Sequence, residues 1–230
     1  KFLDNQSDIH YIYLPEKTRP DKVAIIKGVV TDINGNTLQA DIVWEDLDNN
    51  TKLGNLKTDP ATGEYIITLP LGKNYGFYVS KTAYYPVSDN LDLSNFDQNI
   101  TVVKNFQLID EQQIIQGQAA IQLHNVFFDF DKYDLKSTSY PELNRLAEFI
   151  KLHPDLKIEI SGHTDNRGYD YYNNNLSQDR ATAVKDYLIS QGCNQAQLIS
   201  KGYGSTKPIA NNTTDYGRQQ NRRVEFKVLQ

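Results

Sequence analysis

The hydrophobic period of this chain changes once, near residue 110, and that change limits what it can fold into. From Val23 to Leu108 apolar residues alternate with polar ones in short runs separated by turn signals. Beyond Pro141 they recur at three- and four-residue intervals, with strand-like runs in between. An all-β unit followed by an α+β unit is the organisation that these two periods imply. A length of 230 residues suffices for two modest cores.

In the first unit, Val23 to Thr31 reads as a strand and Asn34-Gly35 as a tight turn. Asp41 to Glu45 places Ile42 and Trp44 on one face and Val43 on the other. Turns at Asp48-Asn49-Asn50 and Asp59 to Gly63 bracket a short pair, and Tyr65 to Leu69, Tyr75 to Lys81 and Ile100 to Leu108 follow. About seven strands at this spacing predict a β-sandwich. Upstream, Ile9 to Leu14 is either a flexible arm or the remnant strand of a preceding domain. The expected boundaries are therefore an arm or remnant at 1–21, a sandwich at 22–110 and an α+β domain at 111–230, entered through the polar connector Asp110 to Gln113.

The second unit reads as strand Ile121 to Phe128, helix Pro141 to Ile150, strand Leu156 to Ile160, helix Leu176 to Ser190, and strands Gln197 to Lys201 and Arg223 to Leu229. That βαβαββ order predicts a mixed sheet with two helices on one face. Leu143, Leu146, Ala147 and Ile150 share a stripe on the first helix. On the second, Arg180 interrupts the stripe of Leu176, Val184, Tyr187 and Leu188, and Arg222 falls in register with Val224, Phe226 and Val228. A guanidinium aimed at a core must find a carboxylate or a ligand, and Asp165 is the natural candidate. Either Asp165 closes an internal ion pair with Arg180 or Arg222, or the group holds a zwitterion.

Net charge is −5, which provides no basic field for nucleic acid. No stretch reaches the roughly 20 apolar residues needed to cross a bilayer as a helix. With no Met and no signal-like apolar run at its start, the chain reads as a mature product or an excised fragment. The lone Cys193, beside Gly192, suits packing at a helix end.

Three motifs carry a resemblance: Gly162-His163-Thr164-Asp165, Leu176-Ser177-Gln178-Asp179-Arg180-Ala181 and Gly217 to Glu225 with Asn221-Arg222-Arg223. In this order they resemble the C-terminal peptidoglycan-binding domain of the OmpA-like family (OmpA, Pal and MotB relatives), from about Ile121 to Leu229. The resemblance implies a ligand, the meso-diaminopimelate of the peptidoglycan peptide stem. Asp165 would accept hydrogen bonds from its ammonium and Arg180 would clamp its carboxylate. Thr164 and Asn173 match polar lining positions, Leu176 an apolar wall, and Arg222 a supporting arginine. Asp131, in Phe127 to Lys132, matches a loop position near the ligand, where some relatives have Asn. With three motifs in family order, ligand binding outweighs the internal ion pair.

The segments Ile26 to Asp32, Thr58-Asp59 to Glu64-Tyr65 and Leu69 to Lys73 resemble the carboxypeptidase-regulatory-like β-sandwich, a non-catalytic accessory domain. No His is followed three residues on by Glu, as a zinc carboxypeptidase site would require. Proteins that combine the two domains, often after a propeller-like region, are outer-membrane-associated proteins of Bacteroidetes-type bacteria, some linked to secretion. The resemblance thus implies a periplasmic, outer-membrane-associated location and envelope or secretion-complex proteins as partners of the sandwich.

Turnover is not expected. A glycosidase needs two carboxylates flanking the bond, and an amidase a metal or an activated nucleophile. One Asp among Arg residues stays ionised. His163 has no Ser or Cys partner in the motifs and reads as structural. Asp129, Asp131 and Asp134 lack the Gly and terminal Glu of a calcium loop, so neither metal nor cofactor is called for. The competing function is that of an envelope-assembly component whose sandwich binds proteins through aromatics among Tyr75, Phe77, Tyr78, Tyr84 and Tyr85. Sugar binding by the Tyr-rich sandwich ranks last.

Overall fold

The structure, a computed structural model, describes residues 21–117, 119–129 and 131–229. The expected arm and its run Ile9 to Leu14 lie outside the described residues, apart from Asp21. Buried apolar side chains fall into two clusters, one before residue 110 and one largely after it.

The first cluster lies between two sheets. β1 (Val23–Asp32) pairs antiparallel with β4 (Glu64–Pro70) and parallel with both β8 (Ile100–Val103) and β9 (Phe106–Asp110). Opposite them run β3 (Thr51–Lys57), β2 (Asp41–Asp46), β5 (Asn74–Ser80) and β7 (Val87–Asp92), in that order. The period of two is visible in β4, where Tyr65, Ile67 and Leu69 point inward and Ile66 outward. They meet Ala24, Ile26, Ile42, Phe77 and Leu108, none of which has exposed surface. Each Ile, Leu or Phe among them contributes roughly 1.5–3 kcal/mol when buried.

Three expectations for this region need correction. The run Ile100 to Leu108 is two strands, because the chain crosses β1 at Gly28 between them. A Cβ on Gly28 would sit 2.0 Å from the Lys104 carbonyl oxygen, and Asn105 accepts a hydrogen bond from the Val29 N–H at 3.0 Å. Pro86 separates two strands that the sequence reading passed over, β6 (Tyr84–Tyr85) on the first sheet and β7 on the second. The aromatic set considered as a partner surface is largely interior: Tyr75, Phe77 and Tyr85 are buried, and Tyr78 and Tyr84 are half-buried.

The polar connector is a short helix, α1 (Glu111–Ile115), capped by Asp110, which accepts from the Gln112 N–H at 2.8 Å; its Ile114 is fully buried. The second sheet system runs β10 (Ala120–Gln122), β13 (Val224–Leu229), β11 (Lys157–Gly162), β12 (Leu198–Gly202). Its first two pairings are antiparallel and the last is parallel, so the sheet is mixed as expected. Helices α2 (Tyr140–Leu152) and α3 (Asp170–Ser190) pack on one face, Leu143, Leu146, Ile150, Val184 and Leu188 meeting Ile158, Ile160 and Phe226. Cys193 is buried in the same cluster.

Here too the details differ. β10 stops at Gln122, well short of Phe128, and the chain turns so that Asn125 bonds Asp89 and Asn90 in the first unit. α3 begins six residues earlier than expected and buries a different stripe: Asn173, Ser177, Ala181, Val184 and Leu188. It lies so close to β11 that a Cβ on Gly162 would come within 2.1 Å of the Ser177 carbonyl oxygen. Only small residues fit that contact, which turns Leu176 and Tyr187 partly out of the core. A further helix, α4 (Asp215–Asn221), precedes β13.

The two clusters are not separate in space. Tyr85, from the first sheet system, meets Phe149 edge-on at 5.0 Å and lies 5.3 Å from Phe226. Arg145 of α2 lies over the Tyr78 ring at 4.5 Å and reaches Glu142 at 3.3 Å and Glu45 at 3.7 Å.

Candidate functional site

The three sequence motifs converge where β11 ends and α3 begins. The chain leaves β11 at Gly162, turns through Thr164 and Asp165, and enters α3 after Gly168, whose φ of +92° suits glycine. Beside this turn lies a cavity of about 720 Å³. All seven residues singled out from the sequence line it: Asp131, Thr164, Asp165, Asn173, Leu176, Arg180 and Arg222. Arg167, Gly168, Tyr172, Gln219 and Phe128 join them.

Asp165 is buried and doubly held. One carboxylate oxygen accepts from the Arg167 main-chain N–H at 2.9 Å, and the other from Arg222 Nη1 at 2.5 Å. The internal pair is therefore Asp165 with Arg222. Arg222 is not on the core face of the last strand, as its register suggested. It caps the C-terminus of α4, and its side chain, 44% exposed, reaches sideways to the turn. Arg223 is the buried member, held by Glu225 at 3.0 Å and by the Lys207 carbonyl at 3.2 Å.

Arg180 has a different environment. Its Nε donates to the Lys132 carbonyl at 2.9 Å, its Nη2 lies 3.5 Å from the Asp129 carbonyl, and the Phe128 ring lies 4.9 Å from its guanidinium carbon. Among the described residues no carboxylate lies within ion-pair distance of it. Burial, with the nearby Arg222 adding to it, pulls its pKa down, and Asp131 opposes the shift. An arginine remains protonated under such a shift. The result is a desolvated cation held by main-chain dipoles.

The other residues shape the walls. Asp131 adopts a left-handed backbone, φ +61°, and its carboxylate accepts a short hydrogen bond from the Tyr172 hydroxyl. That bond is the main reason the Tyr172 pKa is raised. Asn173 donates to the Arg167 carbonyl at 3.0 Å and so holds the 165–168 turn from within α3. Thr164 is buried, its N–H bonded to the Gly204 carbonyl at 2.9 Å, while its Oγ1 has no hydrogen-bond partner. Buried hydroxyls are seldom left so.

His163 is a packing residue, nearly fully buried, 3.1 Å from Glu225 and stacked on Tyr203 at 5.3 Å. Asp129, considered for calcium, is occupied by Lys136 at 2.7 Å and Lys132 at 3.6 Å. Sequence reasoning passed over Arg167, Tyr172 and Gln219. Tyr172 immediately precedes Asn173, and Arg167 lies two residues past Asp165, so motif adjacency could have found both. Gln219 belongs to the unforeseen α4.

A mixed four-stranded sheet with two helices on one face, and an Asp–Arg cavity at its edge, make up the C-terminal domain. Residues 127–222 match the OmpA family. The chain is 36% identical over 180 residues to outer membrane porin F of Pseudomonas aeruginosa, covering 72% of this chain and 50% of that protein. It is 40% identical over 100 residues to the peptidoglycan-associated lipoprotein of Buchnera aphidicola, covering 44% and 58% respectively. The crystal structure of the peptidoglycan-associated lipoprotein from Burkholderia pseudomallei aligns with a TM-score of 0.43 and 36% identity, over 45% of this chain and 88% of that one. The chain spans about half the length of the two curated relatives it matches here.

Proposed function

We propose that this chain binds the peptide stem of peptidoglycan without turning it over, and so tethers an outer-membrane or envelope assembly to the cell wall. It works in the periplasm, in association with the outer membrane. The observation that carries the reading is the pairing of unlike charges from different elements around one cavity. Asp165 presents a carboxylate from the turn after β11, and Arg180 presents from α3 a guanidinium with no ion-pair partner among the described residues.

The complementary ligand carries an ammonium and a carboxylate on one carbon, as the distal end of meso-diaminopimelate does. Asp165 accepts from the ammonium and Arg180 forks onto the carboxylate. Thr164 lines the cavity beside Asp165, Leu176 packs on the aliphatic stem, and Asn173 keeps the turn in place. Arg222 aligns Asp165, and Asp131 with Tyr172 closes the far wall. The peptidoglycan-associated name of two of the similar proteins supports the polymer, and the charges support the head group.

Residues 22–110 are, in this reading, a carboxypeptidase-regulatory-like sandwich that serves as a spacer, and 111–230 the binding domain. The alternative, an assembly component whose sandwich recruits envelope proteins, loses its aromatic surface because Tyr75, Phe77 and Tyr85 are interior. Co-sedimentation with insoluble sacculi tests the reading. The chain is expected to pellet with sacculi of the diaminopimelate type and to stay in solution with sacculi carrying lysine, which lacks the distal carboxylate. Equal pelleting with both, or with neither, contradicts it.

A further inference from the structure

Asp131 and Arg180 line the same cavity with opposite charges and do not pair. Arg180 donates through Nε to the Lys132 carbonyl at 2.9 Å, and its Nη2 lies 3.5 Å from the Asp129 carbonyl. These carbonyls stand on either side of Asp131 in the chain, so the main chain beside Asp131 touches the guanidinium. The Asp131 carboxylate is nonetheless bonded elsewhere, accepting from the Tyr172 hydroxyl. Burial lowers the Arg180 pKa and the Asp131 charge opposes that shift, so the two groups act on each other without contact.

A partly desolvated guanidinium beside an uncommitted carboxylate captures it, because the charge-assisted fork is the strongest hydrogen bond open to either group. The other cations around this loop and cavity are already engaged. Lys132 and Lys136 lie 3.6 and 2.7 Å from Asp129, Arg222 lies 2.5 Å from Asp165, and Arg167 lies 3.4 Å from Asp215. Among the described cavity residues Arg180 is the cation without a carboxylate. Tyr172 supplies the one hydrogen bond that the structure gives the Asp131 side chain, and it does so from α3, the helix that also carries Arg180.

We infer that Tyr172 is a positioning residue: its hydroxyl holds the Asp131 carboxylate off Arg180 and so keeps that arginine open to the carboxylate of the ligand. The inference rests on the function proposed above and names a residue that sets its affinity. Without the hydroxyl, Asp131 turns to Arg180 and occupies the clamp from within the chain. A ligand must then displace it, and its apparent affinity falls by the fraction of molecules in which the clamp is still free. A partly exposed pair of this kind corresponds to about fivefold.

A double-mutant cycle on the whole chain tests it, with a stem peptide ending in meso-diaminopimelate as the probe. Tyr172→Phe is made in the native chain and in Asp131→Asn, which removes the charge while Asn accepts the same left-handed backbone, φ +61°. Calorimetry is expected to show a loss of about fivefold from Tyr172→Phe in the native chain and less than about twofold in the Asp131→Asn background. No loss in the native chain overturns the inference. An equal loss in both backgrounds assigns Tyr172 to a direct contact with the ligand and also overturns it. A second readout needs no ligand: the Nε–H resonance of Arg180, assigned through Arg180→Lys, should move on Tyr172→Phe in the native chain and stay in place in the Asp131→Asn background. If the peptide binds none of these proteins but the resonance behaves in this way, the proposed function fails and the positioning role of Tyr172 stands. If the resonance does not move in the native chain, the inference fails whatever the peptide does.

Discussion

The carboxylate of Asp165 and the guanidinium of Arg222 meet at 2.5 Å, tying the turn after β11 to the end of α4. The two ends of the pair are unequal, since the Asp165 side chain is 9% exposed and that of Arg222 44%. Arg222 can hydrate if it is displaced, whereas Asp165 has little water to turn to. A ligand ammonium can therefore share the carboxylate while the arginine swings outward at small cost.

This inequality predicts unequal mutants. Asp165→Ala removes the only carboxylate proposed to meet the ammonium and should weaken stem-peptide binding at least about a hundredfold, near 3 kcal/mol. Arg222→Gln should weaken it less than about tenfold. Calorimetric titration of both variants, with circular dichroism to show that they are folded, checks the order.

Gly162→Ala should be damaging although it adds a single methyl group. The new Cβ would stand 2.1 Å from a backbone oxygen of α3, so the helix must move as a whole. A loss of about 1–3 kcal/mol is expected. Because α3 also carries Asn173, Leu176 and Arg180, peptide binding should weaken with it. Denaturant unfolding and titration of the same sample measure the two effects.

The junction gives a stability prediction. Tyr85 is buried against Phe149 and Phe226, in the core cluster otherwise built from the C-terminal sheet and its helices. Tyr85→Ala should cost about 3–5 kcal/mol, the range for large aromatic truncations. It should also divide a single calorimetric unfolding transition into two, as the sheet systems lose their shared contact. A single, merely shifted transition would show that the coupling lies elsewhere.

Glu142 sets a pH dependence at the same junction. Burial raises its pKa above the ordinary 4.5, and Arg145, Ser88 and His124 oppose the shift only in part. The folded state thus holds this proton more tightly than the unfolded chain does. Its contribution is most favourable below pH 4.5 and is lost as pH rises from there through the raised value. Glu142→Gln should therefore stabilise the chain relative to native at neutral pH and lose that advantage in acid. Thermal melts of both proteins from pH 4 to 8, a range about wide enough to span the titration of a raised carboxyl, decide it.

Much of the C-terminal sheet was legible because its strands and α2 follow clean periods. Arg180 stood out as a cation among apolar residues, and it lines the cavity, although the stripe that α3 buries is a different one. Other features depend on contacts that local pattern does not encode. α4 is seven residues long and buries Gly217, Arg218 and Asn221 rather than an apolar stripe. That hidden turn also misplaced Arg222, because parity with Val224 holds only if the strand has already begun. The two-residue β6 and the break at Lys104 exist because of Pro86 and Gly28, whose effects are tertiary.

The most direct test is a cycle of four titrations: native chain and Arg180→Ala, each with a stem peptide ending in meso-diaminopimelate and with its lysine counterpart. If Arg180 clamps the distal carboxylate, the native chain binds the diaminopimelate peptide at least about a hundredfold tighter. The Arg180→Ala protein, still folded, binds both peptides equally weakly. A preference for diaminopimelate that persists in Arg180→Ala would contradict the account and return Arg180 to the role of a brace for Asp129 and Lys132.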